Sequence, residues 1–139
     1  MASNIIKIKS FDFALRIVKL YRFLFIEKKE FVFSKQLLRS GTSVGALVRE
    51  SEHAERKLDF IHKLAIAQKE ANESDYWLEL LFRYEYLNES QYESLNSDIV
   101  ELKKIIASII ISTKNNLKNS YYPYSSAFTT HNSPFIIHN

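Results

Sequence analysis

Apolar residues recur along this chain at the three- and four-residue spacing of amphipathic helices, in four long stretches. Both prolines lie beyond residue 120, so no proline interrupts these stretches. The pattern predicts an all-α fold with helices over residues 10–26, 34–54, 58–87 and 90–119. Because short connections force consecutive helices to run antiparallel, we predict an up-and-down four-helix bundle.

Three of the predicted helices begin with capping signals. Ser10 and Ser34 are placed to act as N-caps, since a serine oxygen can accept a hydrogen bond from a free N–H of the first helical turn. Ser90 and Glu93 fit the capping-box spacing at the start of the fourth helix. These assignments leave an N-terminal extension, residues 1–9, ahead of a bundle over residues 10–119.

The last segment, residues 120–139, differs in composition from the rest of the chain. It carries no formally charged side chain, holds both prolines and lacks helical periodicity. We predict a disordered C-terminal tail, because such a segment has little apolar surface to bury in a core. Its tyrosines could stack on nucleobases or on a protein partner, and a passive tail is the favoured interpretation.

Small residues on the second and third helices suggest a tightly packed helical hairpin. Antiparallel pairing places Gly41 opposite Ala71 and Gly45 opposite Ala67, so we predict that the two backbones approach closely there. A glycine inside a helix costs about 1 kcal/mol relative to alanine, which favours a packing role for two glycines four residues apart. The alternative is a loop over residues 40–45, since Ser-Gly-Thr-Ser also favours turns.

The same hairpin contains a candidate ion pair and an aromatic cluster. Arg39 lies opposite Glu70 and Glu73, and we predict that it pairs with one of them and fixes the hairpin register. A role for Arg39 as a phosphate ligand is the functional alternative. Trp77, with Tyr76 beside it, is predicted to be a core or interface anchor and not a platform for stacking bases.

Two stretches of this hairpin also carry a family resemblance: LLRSGTSVGA, residues 37–46, and DFIHKLAIAQKEANESDYWLELL, residues 59–81. They resemble the bacterial four-helix-bundle family first described as 23S ribosomal RNA intervening-sequence proteins, over about residues 10–117. The resemblance implies a homopentameric ring and kinship with the accessory proteins of diversity-generating retroelements, which bind nucleic acid through basic outer surfaces. Leu47 stands where the family usually has Asn, so the polar contact of that Asn is absent here.

The first helix predicts self-association without the resemblance. Twelve of the sixteen residues over 11–26 are apolar or aromatic, and the four others fall within an arc of about 120°. A helix on the surface of a monomeric bundle needs an apolar arc of little more than about 100°. The excess predicts a homo-oligomer, and only the resemblance makes it a pentamer.

Charge is divided unevenly along the chain. Residues 1–69 hold 14 Lys or Arg and 7 Asp or Glu, a balance of +7, whereas residues 70–139 hold 5 and 9, a balance of −4. A ring would repeat the basic half around its surface and attract RNA or DNA through phosphate contacts. The candidate nucleic-acid-binding residues are Lys9, Arg16, Lys19, Arg22, Lys28, Lys29 and Lys35. The competing interpretation is that these charges only keep one helix face in contact with water and bind no ligand.

Enzymatic chemistry finds little support in the sequence. Glu50 and His53, like Asp59 and His62, have the carboxylate-x-x-His spacing of di-iron bundles, but both motifs flank a turn and lack inward carboxylates from the other helices. The chain has no cysteine and no hydrolase or phosphate-loop motif. We therefore expect a non-enzymatic protein with no metal and no cofactor.

No signal-peptide pattern opens the chain, and the longest apolar run, residues 105–111, is far short of the ~20 residues that a membrane span needs. We expect a cytoplasmic protein without membrane contact. Its expected partners are further copies of itself and RNA or DNA. The alternative is an assembly scaffold that recruits a protein partner and has no nucleic-acid role.

Overall fold

The computed structural model describes residues 2–121, and within that range it contains four α-helices and no strands. Each helix contacts its neighbours in the chain, and α1 also contacts α4. The prediction of an all-α fold with four helices is therefore confirmed for the described residues. The helices are α1 (Ala2–Ile26), α2 (Phe33–Ser51), α3 (Lys57–Arg83) and α4 (Glu89–Tyr121).

All four helices contribute apolar side chains to one core. Phe13, Ile17 and Leu24 of α1 are at most 1% exposed, and they pack with residues of the other three helices. Burying each such side chain contributes about 1.5–3 kcal/mol, so this core is the main stabilising element of the fold. Core residues of the other helices include Leu37, Val44, Leu64, Leu78, Leu81, Ile99, Leu102 and Ile106.

Helix α1 begins at Ala2, eight residues before the predicted start. The prediction that Ser10 is an N-cap is wrong, because Ser10 lies inside the helix, where its Oγ donates to the carbonyl of Lys7 at 3.3 Å. The apolar face continues into this first part, since Ile6 is only 2% exposed. The other helix ends lie within four residues of the predicted ones.

The N-terminus of α2 is capped by a buried carboxylate. Glu30 is 5% exposed, and its two carboxylate oxygens accept hydrogen bonds from the N–H groups of Val32, Phe33 and Ser34 at 3.2, 2.7 and 2.9 Å. Ser34 was predicted as the N-cap, but it lies in the first turn and its Oγ donates to the carbonyl of Glu30 at 2.9 Å. Glu30 thus takes the capping role predicted for Ser34, because its two carboxylate oxygens reach three N–H groups that have no acceptor within the helix.

A reciprocal pair caps α4. Asn88 N–H donates to Gln91 Oε1 at 2.9 Å, and Gln91 N–H donates to Asn88 Oδ1 at 2.8 Å. This is the capping-box arrangement with amide side chains. The predicted pair, Ser90 and Glu93, was placed two residues too late, because Asn88 and Gln91 have the same spacing and an equally suitable chemistry.

Helix α3 ends in a Schellman motif at Glu85. Glu85 N–H donates to the carbonyl of Phe82 at 2.9 Å and Tyr86 N–H donates to that of Leu81, also at 2.9 Å. Glu85 takes the left-handed conformation with φ 66°, a position that usually holds glycine. A left-handed residue ends the helix at Arg83, four residues before the predicted end.

The atoms nearest to the glycines of α2 lie on α1, where the sequence predicted α3. Gly41 and Gly45 are helical, so the alternative of a loop over residues 40–45 is wrong. A Cβ on Gly41 would lie 2.9 Å from Ile17 Cγ1, and one on Gly45 would lie 3.2 Å from the carbonyl oxygen of Ser10. The predicted close approach at the glycines therefore exists, but the nearest atoms belong to the preceding helix, α1.

A pair of serines occupies the seam between α2 and α3 instead. Ser74 Oγ donates to Ser40 Oγ at 2.9 Å, and both residues are fully buried. Ser40 precedes Gly41 and so lies about 100° around the helix from it, which turns the serine to α3 and the glycine to α1. Ala67 and Ala71 of α3, predicted opposite the glycines, are at most 1% exposed.

The predicted tail, residues 120–139, lies outside the described residues except for its first two positions, which belong to the last turn of α4. No helix among residues 2–121 combines the length and the apolar character that crossing a membrane requires.

Candidate nucleic-acid interface

The structure divides the predicted basic set into paired and unpaired cations. Lys9 Nζ lies 3.2 Å from Glu101 Oε1 of α4, and Arg16 forms an ion pair with Asp98 of α4 at 2.5 Å. Arg16 also donates to Ser94 Oγ at 2.8 Å. These two cations therefore pair with α4 at the surface of the bundle, and each has a carboxylate beside it.

The remaining five cations have no ion pair to a carboxylate among residues 2–121. They occupy the second half of α1, the connection to α2 and the first turn of α2. All five are exposed, and the ammonium of Lys28 also lies 6.0 Å from the ring centre of Phe23. We call them the basic end: Lys19, Arg22, Lys28, Lys29 and Lys35.

Exposed aromatic rings lie at the same end of the bundle, and the sequence analysis did not identify them. Phe25 and Phe31 meet edge to face with ring centres 4.8 Å apart, and Tyr21 lies 5.9 Å from Phe25. Phe25 and Phe31 are 46% and 48% exposed. The signal available in the sequence was their position on both sides of the Lys28–Lys29 pair.

Residues 8–18 of α1 expose an apolar stripe. The exposed fractions of Ile8, Phe11, Leu15 and Val18 range from 40% to 61%. Beside the stripe, α1 and α2 enclose a groove of about 630 Å³. Its apolar lining comes from Phe11, Ala14, Leu15, Val18, Gly45 and Ala46. The guanidinium of Arg49 lies over the Phe11 ring, 5.5 Å from the ring centre, and Lys7, Glu50 and His53 also line the groove.

Arg39 contacts both carboxylates that the sequence placed opposite it. Its Nη1 donates to Glu70 Oε1 at 3.2 Å, and its Nη2 donates to Glu73 Oε2. Trp77 Nε1 donates to the same Glu73 oxygen at 3.0 Å. The Trp77 ring stacks on that of Phe33 with ring centres 6.2 Å apart. Arg39 thus links α2 to α3 and is already engaged, so it is a poor phosphate ligand.

This network shifts the titration of two of its members. The hydrogen bond from Trp77, followed by that from Arg39, lowers the pKa of Glu73 below its ordinary value. The hydrogen bond to Glu73 raises the pKa of Arg39. Both shifts favour the charged forms, as expected for a bonded ion pair.

The carboxylate-x-x-His motifs lie around the α2–α3 connection. Glu50 Oε1 accepts from Lys63 Nζ at 2.9 Å, and Asp59 Oδ2 accepts from Arg56 Nε at 3.2 Å. Within residues 2–121, no three His, Asp or Glu side chains are grouped as metal ligands would be.

Leu47, at the family's usual Asn position, is half-buried and packs against the core.

Comparisons with known proteins agree with the resemblance carried by residues 37–46 and 59–81. A family model described as 23S rRNA-intervening sequence protein matches residues 3–108. A solved structure from Bacteroides thetaiotaomicron VPI-5482, described as a protein with unknown function from the S23 ribosomal protein family, is 60% identical. The match covers 79% of this chain and 98% of that one, with a TM-score of 0.79. A comparison with curated proteins finds no match. The chain therefore belongs to the 23S rRNA-intervening sequence protein family.

Proposed function

We propose that this protein is a non-enzymatic, cytoplasmic, oligomeric four-helix bundle that binds the phosphate backbone of RNA or DNA through its basic end. The observation that carries the proposal is the separation of cations: Lys9 and Arg16 are paired with α4, whereas the five cations of the basic end have no carboxylate partner among the described residues. Unpaired exposed cations retain the field that attracts phosphates and releases counterions. Such contacts specify no sequence.

A second copy of the chain covers the apolar stripe of α1 in this proposal. Ile8, Phe11, Leu15 and Val18 continue into the α1–α2 groove, so stripe and groove form one concave apolar surface on the outside of the bundle. Exposed contiguous apolar surface of this kind is typical of association sites. The assembly we propose is the homopentameric ring that the family resemblance implies, in which weak contacts of each subunit with one polyanion add together.

The association is tested by light scattering coupled to size-exclusion chromatography. We expect a mass of five chains of 16.3 kDa each, and a single-chain mass would overturn the proposal. Leu15→Lys, which places a charge in the stripe, should dissociate the assembly. Leu58→Lys is the matched control, since Leu58 is equally exposed, at 57% against 55%, but lies on α3.

Nucleic-acid binding is tested by fluorescence anisotropy with labelled duplex DNA, single-stranded DNA and a structured RNA, at about 50 and 200 mM salt. We expect binding that weakens steeply with salt. The triple substitution of Lys28, Lys29 and Lys35 by Glu should abolish it. The same charge change at Lys104, Lys114 and Lys118 of α4 is the control and should leave most of the binding intact.

An assembly scaffold without a nucleic-acid role is the second candidate. The stripe and groove of α1 favour it, because they offer a large apolar surface to a protein partner as well as to another copy. No anisotropy change with any of the three ligands at 50 mM salt would reject the nucleic-acid proposal and leave the scaffold as the better account.

A further inference from the structure

We propose that the α1–α2 turn is a stacking site for unpaired bases, so that the ligand of the basic end is a single-stranded segment of nucleic acid. The site consists of the rings of Phe25 and Phe31 and the exposed cations Arg22, Lys29 and Lys35, each within four residues of one of the rings along the chain. This inference rests on the proposed function, because it assigns a ligand class to the same end of the molecule.

The two rings are arranged to receive a base. They meet at an interplanar angle of 64° with centres 4.8 Å apart, and about half of each side chain is exposed. An edge-to-face pair uses the face of one ring and the edge of the other, which leaves ring surface open to a further aromatic group. Stacking on such a surface tolerates any base, because every base has a π-face.

The turn that carries Phe31 is held in place by hydrogen bonds. Glu30 N–H donates to the carbonyl of Leu24 at 3.0 Å, and the buried Glu30 carboxylate accepts from the two residues that follow Phe31. Lys29 takes a left-handed conformation with φ 54°, which reverses the chain between Phe25 and Phe31. A ring presented by a fixed turn loses little conformational entropy when a ligand binds.

Cations flank the rings on three elements. Arg22 lies one helical turn before Phe25, Lys29 lies in the connection, and Lys35 lies in the first turn of α2, four residues after Phe31. None has a carboxylate ion pair among residues 2–121. Aromatic rings interleaved with unpaired cations form the usual combination for single strands, in which bases stack and phosphates meet Lys or Arg. A duplex offers the phosphates only, since its base faces are already stacked.

Charge also distinguishes this site from the proposed subunit contact. A second copy seated on Phe25 and Phe31 would have to bury the neighbouring unpaired cations, and an uncompensated buried charge is strongly destabilising. The α1–α2 groove is mainly apolar, with Phe11, Leu15 and Val18 in its lining, and two of the charged side chains that also line it, Lys7 and Glu50, are ion-paired with Glu52 and Lys63. The two ends of α1 therefore suit different partners.

The test compares wild-type full-length protein with Phe25→Leu and Phe31→Leu, singly and combined, which keep the charge and most of the apolar volume. The probes are a single-stranded oligonucleotide containing 2-aminopurine and a duplex of equal length, at about 50 mM salt. We expect single-strand affinity to fall about 5- to 100-fold in the double variant, with duplex affinity unchanged and the quenching of 2-aminopurine lost. Tyr84→Leu is the control, since Tyr84 is an aromatic residue with 72% exposure outside the site.

Unchanged single-strand affinity in the Phe25 and Phe31 variants, or an equal loss for duplex and single strand, would overturn this inference while the binding of nucleic acid stands. Failure of the wild-type protein to bind either probe, or the structured RNA used above, would instead reject the proposed function itself. The two failures are thus told apart by the wild-type titration alone.

Discussion

Gly41 lies against Ile17 so closely that a Cβ at position 41 would stand 2.9 Å from Ile17 Cγ1 and 3.0 Å from its Cγ2. Ile17 is completely buried, so it has no free space into which to move. We predict that Gly41→Ala destabilises the fold by about 1–2 kcal/mol, because overpacking outweighs the gain of about 1 kcal/mol in helix propensity. Urea denaturation at one fixed protein concentration measures the loss.

The same contact predicts a specific coupling. Ile17→Ala removes both γ carbons and costs about 2–5 kcal/mol by itself. In that background, Gly41→Ala should no longer destabilise and should gain up to about 1 kcal/mol from propensity. Additive effects of the two substitutions would show that the close approach of α1 and α2 does not depend on this pair.

Removing the carboxylate of Glu30 leaves three N–H groups at the start of α2 without their acceptor. We expect Glu30→Ala to lower the free energy of unfolding by about 2 kcal/mol, at the upper end of helix-cap losses, because the capping group is buried. Glu27→Ala, at an exposed glutamate of the same connection, is the control and should change stability by less than about 0.5 kcal/mol. Thermal unfolding followed by circular dichroism compares them, and equal losses would contradict a capping role.

Glu85 occupies the left-handed position of the Schellman motif with φ 66°. A non-glycine residue there carries roughly 1–2 kcal/mol of backbone strain, which glycine would relieve. Glycine also gives the unfolded chain more conformational entropy, which offsets somewhat less than about 1 kcal/mol of that gain. We therefore expect Glu85→Gly to stabilise the protein by about 0.5 kcal/mol. Glu93→Gly, inside α4, is the control and should destabilise the protein by about 1 kcal/mol. If both variants are less stable than wild type in urea denaturation, Glu85 does not occupy a left-handed position that favours glycine.

The lowered pKa of Glu73 predicts a dependence of stability on pH. A carboxyl whose pKa is lower in the folded state contributes stability above its unfolded pKa, near 4.5, and loses it as the pH falls through the folded value. We expect the stability difference between wild type and Glu73→Gln to shrink from about pH 6 to about pH 3. It should stay within about 1 kcal/mol, because the Glu73 side chain is 37% exposed.

Trp77→Phe tests which partner causes the shift of Glu73. It keeps a ring against Phe33 but removes the indole N–H, the first cause of the lowered pKa. We expect part of the acid dependence to disappear in this variant, measured by urea denaturation at each pH. Full acid dependence in Trp77→Phe would assign the shift to Arg39 alone.

Periodicity alone was sufficient to predict the four helices and the Arg39 contact, because burial repeats with the helical period and the hairpin register follows from a short connection. It was insufficient for the caps. Ser34 and Glu30 both lie near the start of α2, so either side chain could cap it. The conformation of the α1–α2 connection places the Glu30 carboxylate, and not the Ser34 hydroxyl, next to the unpaired N–H groups of the first turn.

The partner of the glycines was also beyond sequence reasoning. A helix packed between two others can turn its small residues to either of them, and the residue opposite Gly41 along the hairpin is not the residue nearest to it in space. Likewise, counting Lys and Arg identified the basic set, but the pairing of Lys9 and Arg16 depends on how α4 passes α1. Both outcomes come from tertiary packing.

The ion pairs of Lys9 and Arg16 with α4 join the two helices that are farthest apart in the chain. Most other contacts connect consecutive helices, which favours rapid folding, since short loops close at little entropic cost. We expect the α1–α4 seam to close last. Arg16→Ala should then accelerate unfolding modestly while leaving the refolding rate nearly unchanged, so an exposed ion pair worth at most about 1 kcal/mol acts on the lifetime of the folded state and not on its formation.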